Sequence, residues 1–313
     1  MSGPVLVIGE ALVDLIRRPG QPTVARVGGS PLNVAVGLSR LDVPAALHTS
    51  IGADDDYGAM IEVHLAENDV TLVVPPSARR TSTATAIIDA HGAATYEFDL
   101  EWSLEPAVLD RPRLVHTGSI GALLAPGAAV AAQTVRRHCT SATISYDPNV
   151  RPALMGDRDS ARARIEELVG LADVVKASSE DLEWLYPDDD LDEVAGRWLA
   201  LGPALVVVTH GADGSYAVSP GATARVPVPA VDLVDTIGAG DSFMAGLLAA
   251  LSDADLLGRR HEARLRSLDE AALRGLLEFA AACAAVTVSR PGADPPRRDA
   301  LAPTGKVNPL AAQ

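Results

Sequence analysis

Asp235-Thr236-Ile237-Gly238-Ala239-Gly240-Asp241 runs directly into the apolar stretch Ser242 to Leu251, and this junction decides how the chain is read. Small residues ahead of a helix let consecutive backbone N–H groups point into one concavity. A helix amino terminus binds anions through those unpaired donors and through its dipole. Asp241 stands beside the anion hole, where a carboxylate can take a proton from an attacking hydroxyl. The same residues also fit a plain glycine turn with Asp241 as the helix N-cap.

Outward from this junction the chain alternates strand-like and helix-like segments. Val5-Leu6-Val7-Ile8, ending at Gly9, is a short apolar run of the kind that forms a buried parallel strand. Ala46 to Ile51, Leu114 to Thr117, Thr143 to Tyr146, Val174 to Lys176 and Leu205 to Thr209 repeat it. Helical stretches lie between them at Ser30–Leu41, Gly58–Glu67, Gly127–His138, Asp159–Ala172, Ser179–Leu185 and Asp192–Leu201. The alternation predicts an α/β three-layer sandwich, a mostly parallel central sheet flanked by helices. Ala11 to Val27 and Thr81 to Leu100 break the rhythm. They are extended and partly polar, and are expected to form antiparallel strands of a small β lid. Arg259 to Ser267 is expected as a solvated surface segment, and Pro291 to Gln313 as an irregular tail.

The 313 residues are 48% hydrophobic with a mean hydropathy of +0.16, which suits a globular protein with a large core. No apolar run approaches the ~20 residues of a membrane span, and Met1 to Ile8 lacks a secretory pattern. A cytoplasmic protein without a membrane partner is expected. The net charge of −15 argues against nucleic acid and anionic membranes as partners. A small polyanion stays possible where the site supplies local positive charge. Cys139 and Cys283, the only cysteines, are expected as buried free thiols. Lysine occurs only at Lys176 and Lys306. A lysine kept in an apolar stretch is a candidate for point-charge chemistry that arginine's planar fork does not copy.

The heptapeptide Asp235–Asp241 resembles the C-terminal signature of the PfkB family of carbohydrate kinases. Gly28-Gly29-Ser30-Pro31-Leu32-Asn33 through Gly52-Ala53-Asp54-Asp55-Asp56-Tyr57-Gly58 is similar to the family's N-terminal signature. Asp147-Pro148-Asn149-Val150-Arg151, Val175-Lys176-Ala177-Ser178 and Thr209-His210-Gly211-Ala212-Asp213-Gly214 follow in the family's order, so the resemblance runs from about Val5 to Gly292. No Walker-type phosphate loop is present. The resemblance implies a ribokinase-like fold and ATP-dependent phosphorylation of a sugar hydroxyl. It divides the chain into a main nucleotide- and sugar-binding domain (1–10, 30–80 and 104–313) and a lid (11–29 and 81–103).

Carried over residue by residue, the resemblance implies that Asp14, Gly28, Gly29, Asn33 and Asn149 bind the sugar, with Asp241 as general base. The alternative for Asn33 is a side chain bonded to its own helix start. Gly238, Ala239 and Gly240 would form the anion hole for the transferring phosphoryl group. Arg151 and Lys176 would bring positive charge to the phosphates; the alternative for each is an ordinary surface cation. Lys176, Ser178, Thr209, Gly211 and Gly214, with Gly238 and Gly240, would line the ATP site. Tyr96 and Phe98 either cover the sugar or simply pack the lid. Mg²⁺ would arrive with ATP and, in place of the family's Asn-x-x-Glu, meet Ser178-Ser179-Glu180-Asp181. There Glu180 or Asp181 would act through metal-bound water, unless Ser178 or Ser179 merely starts a helix. Asp235, Ile237, Ser289 and Ala293 would surround a potassium ion.

Gly9-Glu10-Ala11-Leu12-Val13-Asp14, His116-Thr117-Gly118-Ser119-Ile120 and Asp147–Pro152 are most similar to the fructokinase branch, which implies fructose as acceptor, converted to fructose 6-phosphate. Ribose, 2-keto-3-deoxygluconate or a nucleoside are the alternatives within the family. A catalytically silent sugar-binding regulatory protein on the same scaffold, or an adenylate-binding structural subunit, are the alternatives of another class. The intact Gly238-Ala239-Gly240-Asp241 favours an enzyme. Exposed lid-strand edges would pair in a homodimer.

Overall fold

Val5-Leu6-Val7-Ile8 divides the interior in two, because successive side chains of a strand point to opposite faces. Val5 and Val7 enter one apolar core, while Leu6 and Ile8 enter another. The computed structural model describes residues 3–89 and 94–301. In chain order its strands begin with β1 (Val5–Ile8), β2 (Leu12–Arg17), β3 (Val24–Gly28), β4 (Ala45–His48), β5 (Thr71–Leu72), β6 (Ser82–Ile88) and β7 (Ala94–Asp99). They continue with β8 (Leu114–Gly118), β9 (Thr143–Asp147), β10 (Val174–Ser178), β11 (Leu205–Thr209), β12 (Ser215–Val218) and β13 (Thr223–Val226).

The main sheet has the order β13-β12-β11-β10-β9-β8-β1-β4-β5. Strands β5 to β11 in this order pair parallel, and β12 and β13 add an antiparallel edge. That edge hairpin has no counterpart in the sequence reading, since Ser215–Val218 and Thr223–Val226 lack the continuous apolar run that marks β1. The helices Ser30–Arg40, Asp56–Glu67, Ala239–Asp253 and Glu270–Val288 pack on the Val5/Val7 face. Gly127–His138, Arg158–Leu171, Ser179–Leu185 and Leu191–Leu201 pack on the other. This is the three-layer arrangement that the alternation predicts.

The second sheet has the order β3-β2-β6-β7. It is not wholly antiparallel as expected: β2–β3 and β6–β7 are antiparallel hairpins, but β2 and β6 pair parallel. Each hairpin leaves the main layer on its first strand, and the two outgoing strands lie side by side. Val13 and Leu15 on β2 point into the first core. Asp14 shares a cross-strand row with Arg26, Ala84 and Phe98 on the opposite face.

Helix Glu270–Val288 is long and apolar enough to cross a membrane by length and composition. It is an interior helix, with Leu273, Leu276, Leu277, Ala280 and Cys283 buried. Gly246 brings the neighbouring helix close: a Cβ there would stand 2.9 Å from Cys283 Sγ and 3.0 Å from Ala280 Cα. Burial pushes the Cys283 thiol up to about 12. Cys139 departs from expectation, being half-buried at the end of helix Gly127–His138. The expected solvated segment contains a short helix, Glu262–Arg266, anchored by buried Leu265. Residues 302–313 of the expected tail lie outside the described residues.

Candidate active site

Gly238 caps helix Ala239–Asp253 in a left-handed conformation (φ 75°, ψ 4°), and a Cβ there would stand 2.8 Å from Ala293 Cα. Both facts call for glycine. Asp241 is the third residue of this helix and not its N-cap. Its carboxylate reaches out of its own helix. Oδ1 accepts from Ser30 Oγ at 2.6 Å and Oδ2 from Asn33 Nδ2 at 2.8 Å. Two helix amino ends therefore meet at one half-buried carboxylate. The Ala239 N–H, expected in the anion hole, donates to Thr236 O at 3.3 Å. The Ser242 N–H donates to Gly238 O at 2.9 Å, so Gly240 and Asp241 carry the open donors of the first turn.

Gly28 and Gly29 let the β1–β2 corner pack against the start of helix Ser30–Arg40. A Cβ on Gly28 would stand 2.2 Å from Asp14 Oδ2, and one on Gly29 (φ 107°) 2.5 Å from Glu10 O. Burial raises Asp14 to about 6; Arg151 opposes that rise and Asp241 adds to it. Asn33 does not bond its own helix start, because its amide N–H is committed to Asp241. Its carbonyl oxygen is the atom left for a ligand.

Two site residues escaped the sequence reading. Ser30 looks like an ordinary helix-start serine, a common capping pattern. Glu10, only 4% exposed, accepts the Gly121 N–H at 2.8 Å. Burial raises its carboxyl to about 7, against hydrogen bonds from Ser119 and Gly121. A carboxylate directly after a buried strand was the available signal.

Lys176 is no surface cation. Its Nζ donates to Asp147 Oδ2 at 2.8 Å, with both side chains almost fully enclosed. A Cβ on Gly240 would stand 3.1 Å from this ammonium, so the charge lies directly beneath the anion hole. Burial pulls Lys176 down, but Asp147, Asp181 and Asp241 outweigh it and hold the amine above its ordinary value. Burial raises Asp147 to about 6 against the pull of Lys176.

Arg151 is exposed. It donates to Asn149 Oδ1 at 2.8 Å and Val150 O at 3.0 Å, and its charge is felt by Asp14. Asn149 itself is held at φ 38°, with its N–H on Asp147 Oδ1 at 3.2 Å. Asp181 faces inward. Its oxygens accept the Val150 N–H at 2.6 Å and the Ser178 N–H at 2.8 Å, and Ser178 closes the capping box on helix Ser179–Leu185. The helix-start alternative thus describes Ser178, while Glu180 is exposed.

Thr209 ends β11, its hydroxyl 3.5 Å from Ala177 O. Gly214 is required by contact, since a Cβ would stand 2.2 Å from Val226 O, whereas Gly211 (φ 52°) faces open space. Asp235 joins two segments by accepting the Gly292 N–H at 2.8 Å and the Ile237 N–H at 3.0 Å. Ser289 turns its hydroxyl back to Val286 O at 2.7 Å. Tyr96 (64% exposed) and Phe98 (37%) lie on the edge strand β7. No group of three or more His, Cys, Asp or Glu suited to a metal occurs among the described residues.

The arrangement offers a carboxylate fixed by two donors, an anion-binding helix end and a buried ammonium below it, at the carboxyl ends of parallel strands. Such crevices are where open α/β sheets bind ligands. The pattern of the pfkB family carbohydrate kinase matches residues 4–300, and the chain belongs to this family. A fructokinase from Rhizobium leguminosarum bv. trifolii is 36% identical over 282 residues, covering 86% of this chain and 85% of that protein. The crystal structure of fructokinase from Xylella fastidiosa superposes with a TM-score of 0.82 at 29% identity, covering 96% of this chain and 97% of the other. A fructokinase double mutant from Vibrio cholerae O395, with fructose, ADP and potassium ion bound, gives 0.75 at 27% identity, covering 93% and 94%.

Proposed function

We propose that this chain transfers the γ-phosphoryl group of ATP to fructose, giving fructose 6-phosphate. One observation carries the reading: the Asp241 carboxylate, held by Ser30 and Asn33, stands at the glycine-capped amino end of a helix. The acceptor hydroxyl gives its proton to Asp241 as its oxygen bonds to phosphorus and the bond to the ADP oxygen breaks. The N–H groups of the first turn and the Lys176 ammonium beneath Gly240 neutralise charge on the transferring group. Asp14 and the Asn33 carbonyl orient the sugar, since both accept hydrogen bonds from hydroxyls. Fructose as acceptor is supported by the fructokinase relatives and by the fructose-bound Vibrio cholerae enzyme.

Mg²⁺ bound with ATP supplies further neutralisation of phosphate charge. Glu180, an exposed carboxylate at the start of helix Ser179–Leu185, suits a hold through water, the usual habit of magnesium. Asp235, Ile237, Ser289 and Ala293 form the candidate loop for potassium. The small sheet acts as a lid that excludes water from the transfer, and its exposed Val24, Tyr96 and Phe98 suit pairing with a second copy of the chain. The enzyme works in the cytoplasm.

A coupled ADP-release assay across a panel of sugars tests the reading. Fructose is expected to stimulate ADP formation most, and Asp241→Asn to cut that rate by at least ~10²-fold. Absence of stimulation by any sugar would leave a sugar-binding protein instead.

A further inference from the structure

Many arginines of this chain are consumed in ion pairs, as Arg40, Arg80 and Arg259 are. Arg26 is different. It lies in β3 directly opposite Asp14, and its guanidinium has no hydrogen bond or ion pair among the described residues. It crosses instead from the small sheet to the main layer. A Cβ on buried Gly292 would stand 2.7 Å from Arg26 Nη1. The Gly292 N–H is the one bound by Asp235 Oδ2, and the next residue, Ala293, packs against Gly238 at the anion hole. An unpaired cation thus reaches, from the opposite side, the loop that backs the phosphate-gathering helix end.

The charges around the candidate site say what such a cation is for. Glu10, Asp14, Asp147, Asp235 and Asp241 are all acidic. Against them stand Lys176, sealed below Gly240 and paired with Asp147, and Arg151, tied to Asn149 and Val150. Incoming phosphates add more negative charge, and none of these cations lies free on the lid side. An arginine fork matches phosphate oxygens with two parallel hydrogen bonds. We propose that Arg26 is a catalytic cation carried by the lid, which moves from Gly292 onto the transferring phosphoryl group of the ternary complex. It takes no proton; it neutralises charge while Asp241 receives the hydroxyl proton. This inference rests on the kinase reading above.

The test compares Arg26→Ala, Arg26→Gln and Arg26→Lys with wild type and with Arg18→Ala, an exposed neighbouring arginine. The readouts are kcat in the fructose-dependent ADP assay, fructose affinity by calorimetry without nucleotide, and the melting temperature. Arg26→Ala and Arg26→Gln are expected to lower kcat ~10²-fold, with fructose affinity and melting unchanged. Arg26→Lys is expected to recover at least a tenfold part of the loss, and free guanidinium ion to raise the rate of Arg26→Ala. Arg18→Ala is expected to keep wild-type kcat. A kcat within twofold of wild type for Arg26→Ala overturns the proposal. So does a glutamine variant as active as the lysine one, since that makes Arg26 a neutral latch on Gly292. A wild-type protein without sugar-dependent ADP release would instead sink the kinase reading.

Discussion

Five acidic side chains near the candidate site have different surroundings, and those surroundings separate what each of them holds. Asp241 is bound by two neutral donors from another helix, which aim it without burying it. Asp181 spends both oxygens on backbone N–H groups and holds the Asn149–Arg151 turn. Asp147 fixes Lys176, Asp235 ties Gly292 to the helix entry, and Glu10 anchors the Gly121 turn. Ser30→Ala should therefore free one oxygen of Asp241 and lower kcat by about tenfold, with sugar affinity nearly unchanged, since one hydrogen bond to a charged group is worth about 1.5–3 kcal/mol. A variant with wild-type turnover would show that Asn33 alone aims the carboxylate. The acidic residue of the heptapeptide was legible because its neighbours are distinctive. Ser30 and Glu10 were not, because a serine at a helix start and an acid after a strand are common patterns whose partners lie far away in sequence.

At the scale of elements, the two helices that begin at Gly29 and Gly238 matter most, since their amino ends converge on the same carboxylate. Their relative placement depends on the pairing of Ala239–Asp253 with Glu270–Val288. Gly246 permits that close crossing, and a hydroxyl pair, Thr287 Oγ1 to Ser242 Oγ at 2.8 Å, pins it near the active end. Gly246→Leu is expected to destabilise the fold by roughly 1–3 kcal/mol or more through overpacking. Gly196→Ala, on an exposed helix face with nothing within 4 Å, should stabilise it by about 0.5–1 kcal/mol. Urea unfolding of the two variants checks both signs; equal effects would mean that the crossing is not tight. The helices were legible from periodicity. The parallel β2–β6 pair was not, because pairing direction depends on where each hairpin leaves the main sheet and not on its own residues.

The whole molecule buries carboxyl groups at a cost that varies with pH. Burial raises Glu10 to about 7 and both Asp14 and Asp147 to about 6. Each binds a proton in the folded state at a pH where the unfolded chain has released it, so each loses stability for the fold as pH rises through the window between the two values. His116, pushed down to about 3 by burial and by nearby Lys176, acts in the opposite sense: the unfolded chain takes up the proton first, and stability is lost as pH falls from about 6.5. Glu10→Gln removes one contribution cleanly. Its melting temperature relative to wild type is expected to rise from pH 5 to pH 8; a difference that stays flat would show that Glu10 is not held protonated by the fold.

Local sequence was enough to determine the alternating elements, the sandwich they build and the carboxylate beside a glycine-capped helix, since periodicity, turn chemistry and a short signature act among neighbours in the chain. Lys176 sealed under Gly240, Asn33 and Ser30 bonded to Asp241, Asp181 turned inward and Arg26 reaching Gly292 arise from packing alone. Those outcomes depend on contacts between residues up to about 270 positions apart, and burial and charge at such a contact exist only after the layers have packed.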